Sequence, residues 1–241
     1  MNTVLIQDLI ATGVTLIGAI AWLRLWDAIA AKRWISSTLS RKIIHITTGP
    51  LFVLCWPLFS PSPWARVGAA LVPLLISIQF LAVGLGWLHD PDAVQALTRT
   101  GDRSEILKGP LLYGLIFVVC TLVFWRTSPV GILGLMVVCG GDGFADIVGR
   151  RFGTVKLPWN RDKSWAGSAA MFAGAWLIAA VMLLGFSALG FFSVLPTPPL
   201  NWLWLTLIVL TATIIESFPI RDWDNLTIAM TSIGLGLVLL S

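Results

Sequence analysis

The chain has 241 residues, of which 57% are hydrophobic and only 12% charged, with a net charge of +4. A soluble domain carries roughly 25% charged residues, so this chain lacks the polar surface that water demands, and lipid must face much of it. That excludes an ordinary soluble domain, and no nucleic acid is expected as a partner.

Continuous apolar runs predict spans over residues 3–23, 43–60, 67–88, 111–125, 130–148, 166–192, 202–218 and 226–240. A crossing takes about 20 residues, and unbroken rather than alternating hydrophobicity indicates helices, not barrel strands. The expected fold class is therefore all-α: one domain over 1–241, a polytopic transmembrane helical bundle of about eight spans. Three runs (111–125, 202–218 and 226–240) are short, and the last pair has the alternative of one helix plus a re-entrant piece. The N-terminus has neither a basic flank nor a cleavage pattern, so the first span is expected to be retained.

Placing the charges on this map orients it. Fourteen of the sixteen Lys and Arg residues fall in alternate loops on one side; only Arg66 and Arg126 fall on the other. Basic residues concentrate on cytoplasmic loops, so those loops are expected inside and both termini outside. Cys55, Cys120 and Cys139 lie in apolar runs without metal-ligand spacing and read as small core residues. Trp22, Trp26, Trp64, Trp87, Trp125 and Trp202 lie near span ends, where an indole keeps its N–H wet. The Pro-rich stretch at 195–199 cannot continue a helix. Segments 24–42 and 89–110 carry mixed charge and are expected along the interface.

The chemistry-bearing residues gather on the cytoplasmic side. Asp142 and Asp146, four apart near the end of the fifth span, share a helix face. Two such carboxylates repel unless a cation lies between them, and Mg²⁺ prefers one or two carboxylates plus substrate phosphates. The bland reading is a pair of solvated interfacial aspartates. A basic loop follows, with Gly149, Gly153, Lys156 and Lys163, then Ser164, Gly167 and Ser168 opening the sixth span. Glycines let backbone approach a phosphate, lysines supply compact charge, and a helix start offers N–H groups to an anion. No P-loop pattern occurs. Arg41, Lys42 and His45 open the second span on the same side. Glu216 lies in the seventh span near its end, followed by Asp222, Asp224 and Asn225. Glu105 and Lys108 precede the fourth span, where a surface ion pair explains them equally well.

These motifs resemble a known family. Asp142-x-x-Ala145-x-x-x-Gly149-x-x-x-Gly153-x-x-Lys156, with Lys163-Ser164-x-x-Gly167-Ser168, resembles the nucleotide-binding signature of the dolichol and phytol kinase family. Arg41-Lys42-x-x-His45-x-x-x-Gly49, Glu105-x-x-Lys108-Gly109-Pro110-Leu111 and Asp224-Asn225-Leu226 resemble its phytol and farnesol kinase branch. The segment between Lys156 and Lys163 is shorter than in dolichol kinases, and Ala166 replaces an acidic residue of that pattern. The resemblance implies a membrane kinase that transfers phosphate from a nucleoside triphosphate, CTP, to an isoprenoid alcohol, with phytol foremost.

On that basis Asp142 and Asp146 are expected to hold Mg²⁺, with Lys156, Lys163, Arg41 and Lys42 on phosphate oxygens. Glu216, Asp224 and His45 remain alternatives for the proton acceptor. Two rivals stand beside this reading. A membrane cytidylyltransferase would use the same Mg²⁺–CTP logic and release pyrophosphate. An ion-coupled transporter would place its charges near the bilayer midplane, in repeated halves.

Overall fold

A computed structural model describes residues 2–98, 100–192, 200–219 and 223–240. Among these the regular elements are helices: α1 (Asn2–Ala31), α2 (Ser37–Leu54), α3 (Ala65–Leu85), α4 (Pro91–Leu97), α5 (Gly109–Val123), α6 (Pro129–Phe152), α7 (Trp165–Ala188), α8 (Leu200–Glu216) and α9 (Asp224–Leu239). Short 3-10 turns occupy Trp56–Leu58, Arg103–Leu107 and Trp125–Thr127. The described residues are all-α, as the unbroken apolar runs require. Among the described residues, five stretches are long and apolar enough to cross a membrane: Thr3–Ala31, Ala65–Leu85, Arg103–Val123, Pro129–Phe152 and Trp165–Ala188. Trp202–Glu216 and Asp224–Leu239 are shorter apolar helices. The Pro-rich stretch at 195–199 lies outside the described residues.

Helix ends depart from the apolar boundaries for a physical reason. Hydropathy marks where lipid is tolerated, whereas caps and breakers end a helix. Arg24 and Asp27 end the first apolar run, yet α1 continues through them to Ala31. α2 starts at Ser37 because Ser36 caps it, its hydroxyl accepting the Leu39 N–H at 3.2 Å. The segment 24–42, expected along the interface, is therefore two helix ends joined by a turn. Asp90 caps α4, with Pro91 at its first position and the Ala93 N–H 2.9 Å from the carboxylate. Ser128 and Pro129 start α6 in the same manner.

The chain divides into two compact units, Met1–Ile44 with Leu51–Leu122, and His45–Pro50 with Val123–Ser241. In the first, α1 lies on α3, and Asp8 of α1 accepts both the backbone N–H (2.8 Å) and the hydroxyl (2.9 Å) of Ser60. In the second, α6 is the central helix, touching α7, α8 and α9. Its glycines set the approach. A Cβ on Gly140 would lie 3.0 Å from the Gly174 carbonyl oxygen and 3.2 Å from the Ala175 Cα, so α6 and α7 meet backbone to backbone. Small residues let membrane helices gain this contact where lipid offers no hydrophobic drive for association.

Trp125, near a helix end as its place in the sequence implied, is buried against protein. Arg126 beside it is buried too, its guanidinium 5.4 Å from the Trp125 ring and 4.8 Å from the Phe191 ring. Aromatic faces attract the cation, which gives this buried guanidinium favourable partners. Cys120 and Cys139 are buried, as small core residues should be, while Cys55 is partly exposed.

Candidate active site

The loop between α6 and α7 is a small hairpin, and its fold follows from its residues. Lys156 and Ser164 form an antiparallel bridge. The Leu157 N–H donates to the Lys163 carbonyl (3.1 Å), and the Trp165 N–H donates to the Val155 carbonyl (3.1 Å). Asn160 makes the turn: its side-chain oxygen accepts the Asp162 N–H at 3.1 Å, the habit that places asparagine in turns. Ser164 then caps α7, its hydroxyl accepting the Gly167 N–H at 3.2 Å.

This hairpin carries Lys163 to the end of α8. The Lys163 ammonium pairs with the Glu216 carboxylate and lies 3.5 Å from Asp224 Oδ2. Glu216 is only 2% exposed, so its charge depends on that partner. Burial pulls the Lys163 ammonium towards the neutral form. The Glu216 and Asp224 charges and the Glu216 hydrogen bond outweigh it and hold the pKa above the ordinary lysine value.

Three carboxylates converge here. Asp142 of α6, Glu216 of α8 and Asp224 of α9 each offer an oxygen, and the three oxygens lie within 4.8 Å of one another. His45 approaches from α2, its Nε2 3.6 Å from Asp142 Oδ2.

Asp146 shares a face of α6 with Asp142, as the spacing implies, and its Oδ1 takes the Arg150 guanidinium at 2.8 Å, one turn along the same helix. The three-carboxylate group draws its other members from α8 and α9, which spacing along one helix could not reveal.

The glycines and the helix start also acquire a local account. A Cβ on Gly149 would sit 3.5 Å from the Gly167 Cα, and one on Gly167 would sit 3.1 Å from the Ala145 carbonyl oxygen. Close packing of α6 on α7 thus favours glycine at 167, whereas a Cβ at 149 would meet only ordinary contact distances. A Cβ on Gly153 would run into the Ser164 side chain. The start of α7, expected to offer free N–H groups, is largely satisfied from within. Val155 takes the Trp165 N–H, the Ser164 hydroxyl takes that of Gly167, and the Ser164 carbonyl takes that of Ser168.

Lys156 is exposed on the hairpin. Asn225 follows Asp224 in the first turn of α9, and its buried amide oxygen accepts no hydrogen bond among the described residues. Arg41 and Lys42 belong to the first unit, where an Arg41 guanidinium N–H donates to the Thr98 carbonyl at 3.0 Å and Lys42 is buried. Glu105 Oε1 accepts the Thr100 hydroxyl at 2.6 Å. Asp222 lies outside the described residues. Sequence reasoning missed Trp159, Asn160 and Ser217. The Trp159 indole N–H donates to the Ser217 hydroxyl (3.0 Å), and the Asn160 amide donates to the Ser217 carbonyl (3.0 Å). The available signal was a lone asparagine at the centre of a basic loop.

Known proteins resemble this chain over nearly its whole length. A probable chloroplastic phytol kinase of Triticum aestivum is 44% identical over 232 residues, 95% of this chain and 77% of the relative. Phytol kinase 1 of Arabidopsis thaliana is 39% identical over 235 residues, 95% of this chain and 75% of the relative. The chain belongs to the phytol and farnesol kinase family. The farnesol kinase of Arabidopsis thaliana, also chloroplastic, is 40% identical over 240 residues, 99% of this chain and 77% of the relative. As a member of this family the chain is an enzyme, a phosphotransferase with an alcohol group as acceptor. No family model matches it, and no solved structure does.

The ion pair makes a stability prediction. Lys163→Met leaves Glu216 buried without its cation and should cost about 1.5–3 kcal/mol, the range for a hydrogen bond to a charged group. Adding Glu216→Gln should recover much of that loss, because the stranded charge is gone. Thermal unfolding of both variants in detergent checks this; additive losses would contradict the pairing. With its folded pKa raised, the Lys163 contribution is complete below the ordinary lysine range. It is lost only as pH climbs through the raised value, so it should stay flat across neutral pH.

Proposed function

We propose that this enzyme transfers the terminal phosphate of CTP to the hydroxyl of a long-chain isoprenoid alcohol, phytol, giving phytyl monophosphate. The observation that carries the reading is the convergence of Asp142, Glu216 and Asp224 around Lys163. The relatives' names supply the acceptor class, since they are phytol and farnesol kinases.

Hard carboxylate oxygens in a group of three are the donor set that Mg²⁺ takes, so Asp142, Glu216 and Asp224 fit as its holders. Bound there with a nucleotide, Mg²⁺ would neutralise charge on the phosphate oxygens. The rest falls to the chain. Lys163, already drawn to this point by two carboxylates, presents its ammonium to the transferring phosphate. Lys156 adds charge from the exposed strand of the hairpin. His45, beside Asp142, takes the hydroxyl proton late in the transfer. Phosphoryl transfer asks mainly for positioning and charge stabilisation, which such a site provides. The isoprenoid tail lies among the apolar helices, with its hydroxyl at the interface.

We place the site on the cytoplasmic face, where fourteen of the sixteen basic residues fall, with eight spans and both termini on the far side. Reporter tags at both termini should be protected from cytoplasmic reagents, and a tag beside Arg161 should be reachable; termini on opposite sides would break this map.

The carboxylates are separable by mutation. Asp142→Asn and Asp224→Asn should each lower turnover by roughly 100-fold or more, because asparagine keeps the shape and removes the charge that holds the metal. Asp146→Asn should be milder, since its partner is Arg150. Turnover of purified, folded variants decides; equal losses at all three positions would return Asp146 to the metal set.

Acceptor length provides another test. Each buried CH₂ contributes about 0.8 kcal/mol, so apparent KM should rise steeply from phytol and geranylgeraniol to farnesol and a short prenol. The assay uses labelled CTP with each alcohol in lipid or detergent. Recovery of a CDP-linked lipid with pyrophosphate would instead establish a cytidylyltransferase.

A further inference from the structure

Asn160 sits where three constraints meet, and its whole side chain is engaged. It is 7% exposed, in a loop whose neighbours Trp159, Arg161 and Asp162 are exposed. Its backbone closes the turn on both sides, the N–H donating to the Leu157 carbonyl (3.3 Å) and the carbonyl accepting from the Lys163 N–H (3.2 Å). Its side-chain oxygen accepts the Asp162 N–H at 3.1 Å. Its side-chain nitrogen donates to the Ser217 carbonyl at 3.0 Å.

That last carbonyl is informative. Ser217 is buried and directly follows Glu216, the last residue of α8, where a helix leaves carbonyls without intrahelical partners. Asn160 supplies one of them with a donor. The same amide therefore shapes the turn and ties it to the residue beside Glu216. Lys163 is three residues further along the hairpin, and its own N–H returns to the Asn160 carbonyl. A second tie runs parallel, from the Trp159 indole to the Ser217 hydroxyl.

We propose that Asn160 is a positioning residue that registers the hairpin against the end of α8 and so fixes where Lys163 delivers its charge. Only a side chain with one donor and one acceptor at this length makes both bonds. Aspartate keeps the acceptor for Asp162 but sets a second oxygen against the Ser217 carbonyl. Glutamine keeps both groups but displaces the hairpin by one methylene. The proposal rests on the reading of Lys163 as a phosphate contact, so its test needs one readout that does not depend on turnover.

The direct readout is acylation of the Lys163 amine by a water-soluble N-hydroxysuccinimide ester, quantified by peptide mass spectrometry on the folded protein in detergent. In the parent, the paired ammonium should react slowly. In Asn160→Asp it should react several-fold faster, while Lys156 on the same hairpin should change little. Asn160→Ala, which removes the amide without adding a charge, should give the same result if the aspartate variant does not fold. The kinetic readout is a split: the apparent KM for CTP rises roughly tenfold, the size of one lost charge-assisted bond, and that for the alcohol stays put. Asn160→Ala added to Lys163→Ala should bring no further loss, because Asn160 acts through Lys163. Unchanged Lys163 acylation in the Asn160 variants, or additive losses in the double variant, would overturn the proposal. Faster acylation with unaltered CTP kinetics would uphold the positioning role and refute the phosphate role of Lys163.

Discussion

Glu216 ends an apolar helix with its carboxylate almost sealed from solvent. Removing an ion from water costs several kcal/mol even after relaxation, so a buried carboxylate persists only with a partner of opposite charge. Lys163 is that partner, and much of the second unit's local structure serves to bring it there. The hairpin bridges Lys156 to Ser164, Asn160 anchors the turn to Ser217, and Ser164 opens α7 immediately after the lysine. The ion pair also links elements far apart in the chain, since Lys163 precedes α7, Glu216 closes α8 and Asp224 opens α9.

The second constraint is the close approach of α6 to α7. Gly140 faces the backbone at Gly174 and Ala175, and Gly149 faces Gly167. Between these two contacts lies Asp142, on a helix most of whose length is buried. The glycines hold α6 close to α7, and this sets the position of the carboxylate relative to the hairpin that α6 and α7 enclose. Residues that resemble a nucleotide-binding signature are thus also packing residues. A substitution at Gly167 would disturb helix contact and site together, so loss of activity there would not by itself identify a phosphate contact.

A phosphotransferase with an alcohol acceptor needs little covalent participation from its protein. It needs a place that concentrates charge, and a neighbouring medium that dissolves the acceptor. In the proposed site, the carboxylates drawn from α6, α8 and α9 would offer the first, and the apolar helices the second. Membership of the phytol and farnesol kinase family agrees with that division, because an isoprenoid alcohol brings a polar hydroxyl and a lipid-soluble chain to the same boundary.

Much of this was legible in the order of residues. Apolar runs without alternation implied helices, and their positions match the observed elements, because lipid tolerates little else than a continuous helical stretch. The motifs around Asp142, Lys163 and Asp224 pointed to the family through local patterns, which survive in sequence whatever the packing. Helix ends were less legible, as α1 shows by running to Ala31, because capping and not hydropathy terminates a helix. The membership of the carboxylate group was not legible at all. Spacing of four nominated Asp146 as the partner of Asp142, since neighbours on one helix are what a linear pattern can show. Tertiary structure brought Glu216 and Asp224 to Asp142 from helices more than seventy residues away. The sequence by itself determined an all-helical, lipid-facing chain and the residue types of its chemistry. Only the folded arrangement decided which of those residues meet, because proximity between separate helices is set by packing, and here by glycines that permit it.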